Sequence, residues 1–183
     1  NGETAQYAQG SISWTKLSAG DLHYLAIKSD STLWAWGVNT SGQLGLSDVL
    51  NRSSPVQVGT LSNWTNISAG QDHTLALRTD YGLFAWGGNA SGQLGLNVPA
   101  STTNNRSSPT QVGTSSWSYV GSGRSTVVAV KLDNSLWSWG DNVNGELGLT
   151  DTINRSSPVQ LGVTTSWLQA GNVNLSLLPS YSN

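Results

Sequence analysis

Two histidines, three arginines in a repeated setting and a scatter of aspartates are the residues of this 183-residue chain whose types could do chemistry. His23 and His73 could ligate a metal, but a metal needs donors that converge on one point. The two occupy the same place in successive copies of a repeat, and Thr126 and Asn174 hold that place further on. They are therefore expected to hydrogen-bond a neighbouring backbone group. Arg52, Arg106 and Arg155 could form a ring of anion-binding guanidiniums. Each stands in the same Asn-Arg-Ser-Ser-Pro setting, which points instead to a structural fork tying its loop to the next unit. Asp30, Asp80 and Asp133 each follow a basic residue by two positions, as turn caps do. Cysteine is absent, so thiol catalysis, disulfides and Cys-ligated metals are excluded. Gly-x-Ser-x-Gly, phosphate-loop and His-Glu-x-x-His motifs are missing too, and Gly121-Ser122-Gly123 is only the third copy's version of Ser-Ala-Gly. The expectation is a protein that is not an enzyme and has no metal or cofactor.

The elements that position these residues are set by the repeat. Tryptophans at 14, 64, 117 and 167 mark a period of about 50 residues. Within a copy, short runs such as Trp64 to Ala69 and Thr74 to Leu77 read as strands. The run Leu83-Phe84-Ala85-Trp86 alternates, with its bulky residues on one face and its smaller ones on the other. The copies at Leu33 to Trp36 and Leu136 to Trp139 do the same, so each sheet can pack bulk into space against the next. A fourth strand is expected from Pro55 to Val58, with a leading Pro suited to an outer edge. Paired glycines at Gly42/Gly45, Gly92/Gly95 and Gly145/Gly148, with Asn39, Asn89 and Asn142, are expected to shape the long loop before it.

Composition removes several classes of partner. A net charge of -2 with 10% charged residues gives no basic patch for nucleic acid. The longest aliphatic run, Val127 to Val130, is far below the ~20 residues that insertion into a membrane needs. The chain opens on Asn1-Gly2 rather than Met, which suggests processing or a longer parent product. Scarce charge and abundant Ser, Thr and Asn suggest an extracellular or virion-surface protein, with a cytoplasmic location as the alternative. The Asn-x-Ser/Thr sequons mostly travel with the repeat, so they say little about glycosylation.

From Trp64 to Gly95 the series Trp-x-x-Ile-x-Ala-Gly-x-x-His-x-x-Ala-Leu, Leu-x-Ala-Trp-Gly-x-Asn and Gly-Gln-Leu-Gly-Leu resembles the regulator of chromosome condensation repeat, and Pro-x-x-Val follows it in the second copy at Pro109 to Val112. The match runs from Trp14 to about Leu178. The resemblance implies an all-β fold, a β-propeller of four-stranded antiparallel blades, of which about three and a half of an expected seven are present. The blades fall near 14–62, 64–115 and 117–165, with a partial blade at 167–178. The remaining blades are expected from the rest of the polypeptide or from another subunit. The family includes a guanine-nucleotide exchange factor for a small GTPase and a plant ultraviolet-B photoreceptor. The photoreceptor uses Gly-Trp-Arg-His-Thr after the first strand, whereas the matching positions here begin Gly20-Asp21, Gly70-Gln71, Gly123-Arg124 and Gly171-Asn172. The nine tryptophans are accordingly read as packing residues.

Recognition is expected where the copies disagree, because variable loops on a rigid scaffold carry binding. The turn after the first strand changes from Asp21-Leu22 to Gln71-Asp72 and Arg124-Ser125. The second copy alone lengthens its long loop, with eight residues, Asn97, Val98, Pro99, Ala100, Ser101, Thr102, Thr103 and Asn104, where the others have four. These positions are the candidate binding residues for a partner protein or surface glycan. The alternative function is an exchange factor or adaptor for a small GTPase.

Overall fold

The computed structural model describes residues 13–162. Three antiparallel sheets follow one another along the chain. The first holds β1 (Trp14–Ala19), β2 (His23–Lys28), β3 (Leu33–Gly37) and β4 (Arg52–Gln57). The second holds β5 (Trp64–Ala69), β6 (His73–Arg78), β7 (Leu83–Gly87) and β8 (Arg106–Gln111). The third holds β9 (Trp117–Ser122), β10 (Thr126–Lys131), β11 (Leu136–Gly140) and β12 (Arg155–Gln160). Each is a plain meander in chain order, the four-stranded blade of a propeller. The beginning of a fourth repeat at 167–178 lies outside the described residues.

Alternation decides how the sheets stack. Leu33 and Ala35 of β3 are fully buried against Trp64, Ile67, Ala76 and Trp86 of the second sheet. Leu83 and Ala85 of β7 meet Trp117, Val120, Val127, Ala129 and Trp139 of the third. The small face of one blade thus receives the aromatic face of the next, as the sequence led us to expect. Backbone joins these faces as well. The Trp86 indole N–H donates to the Gln43 carbonyl at 2.9 Å, and Trp139 donates to that of Gln93 at 3.0 Å. The approach is close enough to require glycine beside it. A Cβ on Gly45 would lie 2.7 Å from Trp86 Nε1 and one on Gly95 2.6 Å from Trp139 Nε1, and both glycines have φ near +70° (71° and 66°).

The turns follow their sequence chemistry. Asp30 Oδ1 accepts from the backbone N–H and the hydroxyl of Thr32, whose Oγ1 accepts from the Trp34 indole. Asp133, Ser135 and Trp137 repeat that chain. The second copy has Gly82 and Phe84 at these places, so the hydroxyl and the indole N–H are lost together. Asn39 and Asn142 brace their loops by accepting from Leu44 N and Leu147 N and donating to Asp48 and Asp151.

Two expectations need correction. The fourth strand does not begin at its proline. It begins at Arg52, and Pro55 sits inside it where the ladder breaks between Ala35 and Gly37. A bulge on an outer strand tolerates the missing N–H. The arginine fork also holds a different partner. Arg52 Nη2 meets Asp48 Oδ2 at 2.5 Å and Arg52 Nη1 donates to Leu50 O at 2.7 Å, so it closes its own loop. The link to the next blade is made by Ser47, whose N–H donates to Ser107 O at 2.8 Å and whose hydroxyl meets Ser108 Oγ at 3.0 Å.

Candidate functional site

In a four-stranded meander the turn between the first two strands and the loop between the last two lie at the same end of the blade. Backbone bonds tie the two together in every copy: Val38 N donates to Leu22 O, Gly88 N to Asp72 O and Asp141 N to Ser125 O, at 2.8 to 2.9 Å. All the candidate binding residues consequently sit at one end of the array.

The first-strand turns converge there. Gly20, Asp21, Gly70, Gln71, Gly123 and Arg124 line one depression of about 310 Å³. It is cross-linked between blades, since Gln71 N donates to Arg124 O at 2.9 Å and Arg124 Nε donates to Gln71 Oε1 at 2.8 Å. Asp72 turns aside and accepts from Gln93 Nε2 at 3.3 Å. Leu22 stands exposed, and Ser125 is half-buried.

The inserted loop does not join this depression. Asn97 N donates to Ser156 O of β12, placing the loop beside the outer strands. Pro99 and Ala100 are exposed and Val98 is half-buried. Thr102–Asn104 form a single 3-10 turn capped by Ser101 Oγ, which accepts from Thr103 N at 3.1 Å, and Asn104 Nδ2 donates to Pro99 O at 3.0 Å.

Beneath the turns lie the two histidines, both fully buried. The expected bond to a backbone group is not what holds His23. Its Nε2 lies 3.0 Å from Thr74 Oγ1 in the next blade, and the Thr74 hydroxyl donates onward to Gln43 O at 2.8 Å. That hydroxyl has one proton to give, so His23 Nε2 is the donor. In the third blade Val127 takes the place of Thr74, and His73 is left with both ring nitrogens unpartnered. Burial lowers the His23 pKa to about 4 and that of His73 to about 3, with a smaller push from His23 on the latter. Each ring lies under the glycine that opens its turn. A Cβ on Gly70 would lie 2.0 Å from His73 Cε1 and 2.8 Å from Gly123 O. The histidines therefore support the turn backbone from below. Among the described residues no three His, Cys, Asp or Glu side chains gather to hold a metal.

Models of the regulator of chromosome condensation (RCC1) repeat match residues 30–77, 82–130 and 133–170, and a second form of that repeat matches 14–43 and 64–93. The chain belongs to the RCC1 repeat family. Over 50 residues it is 40% identical to the human probable E3 ubiquitin-protein ligase HERC3, covering 27% of this chain and 5% of that one. Over 44 residues it is 43% identical to the ultraviolet-B receptor UVR8 of Arabidopsis thaliana, covering 24% of this chain and 10% of the receptor. The chain thus spans a small part of the curated relatives it matches. Among solved structures it resembles Prp20p of Saccharomyces cerevisiae, described with its binding to Gsp1p and histones, with a TM-score of 0.72 at 24% identity. It resembles human WBSCR16 with a TM-score of 0.70 at 19% identity. In both cases the match covers 84% of this chain and 39% of the other, and the likeness is one of fold. As members of this repeat family, the sheets described above are propeller blades.

Sequence reasoning singled out the turns as candidates and missed the polar network under them. The signal for that network was present, since Thr74 and Val127 are aligned positions that differ in a hydroxyl. An Asp that stands two residues beyond both Leu46 and Leu149, with Val98 in its place after Leu96, marks a second unread difference.

Proposed function

We propose that this chain is the working part of a non-catalytic RCC1-repeat propeller that binds a partner protein through the end carrying the first-strand turns. The observation that carries this reading is convergence. The residues that differ most between copies, Asp21, Gln71 and Arg124, meet in one depression whose supporting glycines and buried histidines are built to hold it. The opposite end repeats its Asp-capped turns, and so offers less that is individual. A photo-crosslinking residue placed at Leu22 in the whole protein should trap a specific partner, and the adduct should disappear with Arg124→Glu. The same group placed at Tyr81, at the far end, should trap none; equal yields from both positions would overturn the assignment.

Our finer reading puts the partner, a protein or a glycan, on a cell surface or viral particle. The low charge and the Ser, Thr and Asn content support it. A second reading, exchange factor or adaptor for a small GTPase, draws support from the fold likeness to Prp20p, which binds Gsp1p. Acceleration of nucleotide release from a GTPase by the whole protein would favour it over the first.

We also infer that a closed ring of about seven such blades completes the array. The aromatic face of the first blade supports this. Trp14 is 52% exposed and Tyr24 43%, and a cavity of about 410 Å³ opens beside Trp14, Leu17, Ala26 and Trp36. The equivalent face of each later blade is covered by its predecessor.

A further inference from the structure

In the first blade one carboxylate serves three donors. Asp48 Oδ1 accepts from Asn39 Nδ2 at 3.0 Å and from Leu50 N at 2.9 Å, while its Oδ2 accepts from Arg52 Nη2 at 2.5 Å. Asp151 repeats the arrangement in the third blade with Asn142 Nδ2 at 3.1 Å, Ile153 N at 2.9 Å and Arg155 Nη2 at 2.5 Å.

The second blade keeps two of these donors and lacks the carboxylate. Val98 stands where Asp48 and Asp151 stand. Asn89 is nevertheless posed like its counterparts, its Oδ1 accepting from Leu94 N at 3.2 Å and its own N–H donating to Asn105 Oδ1 at 2.9 Å. Arg106 is posed like Arg52 as well. Its Nη1 donates to Asn104 O and Asn105 O at 3.2 and 3.1 Å, as Arg52 Nη1 does to Leu50 O and Asn51 O. What remains is a buried amide nitrogen with no acceptor beside a guanidinium that meets no carboxylate. Asn89 is 1% exposed and its Nδ2 has no hydrogen-bond partner, and Arg106 meets no carboxylate among the described residues.

We propose that the rim of the second blade is a carboxylate-binding site in which Asn89 Nδ2 and Arg106 Nη2 each hold an oxygen of an acid supplied from outside the blade. Two arguments support the ligand class. The same two donor types hold a carboxylate in both flanking blades, one oxygen meeting the amide and the other the guanidinium. A buried amide N–H without an acceptor is also costly, so an incoming acceptor gains what the blade has left unmade. The inserted loop is fastened to the main chain of the same residue, Ser101 N donating to the Asn89 backbone carbonyl at 2.9 Å. An acid bound at the Asn89 side chain would sit beside that attachment, so the Asn97 to Asn104 segment is where its arrival should be felt. The carboxylate can be a free small acid or an aspartyl side chain of a partner.

The test is a titration of the ¹⁵N-labelled chain, followed by NMR, with acetate, with a blocked Gly-Asp-Gly tripeptide and with chloride at matched ionic strength. Saturable shifts of the Asn89 side-chain amide and of the loop backbone amides are expected with the two carboxylates and not with chloride. Affinity should fall at least tenfold in Arg106→Gln. In Val98→Asp, whose own carboxylate fills the position, the shift should vanish. Tighter binding of the tripeptide assigns the site to a partner's side chain, and equal binding assigns it to small acids. No saturable shift from either probe, the same shift with chloride, or binding unchanged in Arg106→Gln overturns the proposal. Arg106→Gln decides the matter alone if Val98→Asp does not fold.

Discussion

The junction between the first and second blades and that between the second and third are built on the same apolar plan and differ in their polar bonds: a buried triad spans the first, and the Gln71–Arg124 pair crosses the second at its turns. In the first, Gln43 O accepts from both the Trp86 indole and the Thr74 hydroxyl, and that hydroxyl accepts from His23. In the second, Gln93 O accepts from the Trp139 indole, Val127 offers nothing, and His73 is orphaned. Both junctions hold their large side chains equally deep, with Trp86 and Trp139 fully buried. The difference shows that apolar stacking and the indole-to-carbonyl bond define a blade junction. The histidine bridge is an addition that one junction keeps and the other has lost.

The largest break in the comparison should come from the shared part. Trp86→Ala empties a buried indole site and removes the bond to Gln43 O, and truncations of this kind cost about 3–5 kcal/mol. Trp36 is the same residue of the first blade with no blade before it among the described residues, and it is only half-buried. Trp36→Ala should therefore cost less than half as much in the same chain. Denaturant midpoints of the two variants check this, and equal losses would mean that the junction is not what buries the tryptophan.

Next in size is the effect of acid, which acts on both junctions through the histidines. In the unfolded chain each imidazole takes up its proton near 6.5, and in the fold only near 4 for His23 and 3 for His73. The unfolded state thus binds protons first. Stability is full above about pH 6.5 and falls with the pH down to those folded values, by about tenfold in the folding constant per histidine per pH unit. His73→Asn, which borrows the residue found at the matching position 174, should remove one of the two contributions. Urea midpoints measured between pH 7 and 5 should then fall about half as steeply as in the parent.

Much of this was readable in the residues before any coordinates. The strand period, the bulky and small faces and the Asp-capped turns all follow from local rules, because each depends on neighbours a few positions apart; that the variable turns converge was not legible. What was hidden depends on the offset between blades. His23 reaches Thr74, and Trp86 reaches Gln43 O, only because one sheet is stacked on the next in a particular rotation. The strand starting at Arg52 was misplaced for a related reason. Pro55 reads locally as a beginning, yet a bulge opposite Trp36 lets pairing resume on its far side. The arginine fork was assigned to the wrong partner because Asp48, four residues earlier, was not read as its acceptor.

Exchanging the one differing side chain should sharpen the comparison further. Thr74→Val gives the first junction the valine of the second and leaves His23 Nε2 without its acceptor, at a cost of about 1–3 kcal/mol. The reverse change, Val127→Thr, gives His73 a hydroxyl placed like Thr74, with Gln93 O in reach to receive that hydroxyl's proton. A gain of about 1 kcal/mol is expected from a hydrogen bond made to a buried, previously unmade donor. Opposite signs for the two variants in thermal melts at pH 7 would confirm that the triad is additive to the junction. Two losses would mean that the second junction has repacked around the valine.

The smallest effect belongs to the rim, where Arg52 and Asp48 meet with side chains 25% and 33% exposed. Asp48 is held below the usual carboxylate pKa first by the Leu50 backbone N–H and only then by Arg52. The carboxylate would therefore keep most of its bonding without the guanidinium. Arg52→Gln should cost under about 1 kcal/mol, and less at high salt, as partly exposed ion pairs do. Asp48→Val removes the carboxylate that serves all three donors and leaves Asn39 Nδ2 with the Asp48 main-chain carbonyl alone, so it should cost more than Arg52→Gln, with a salt-dependent part no larger than that of the ion pair. A larger loss from Arg52→Gln than from Asp48→Val would mean that charge, rather than the buried amide, decides what the loop needs.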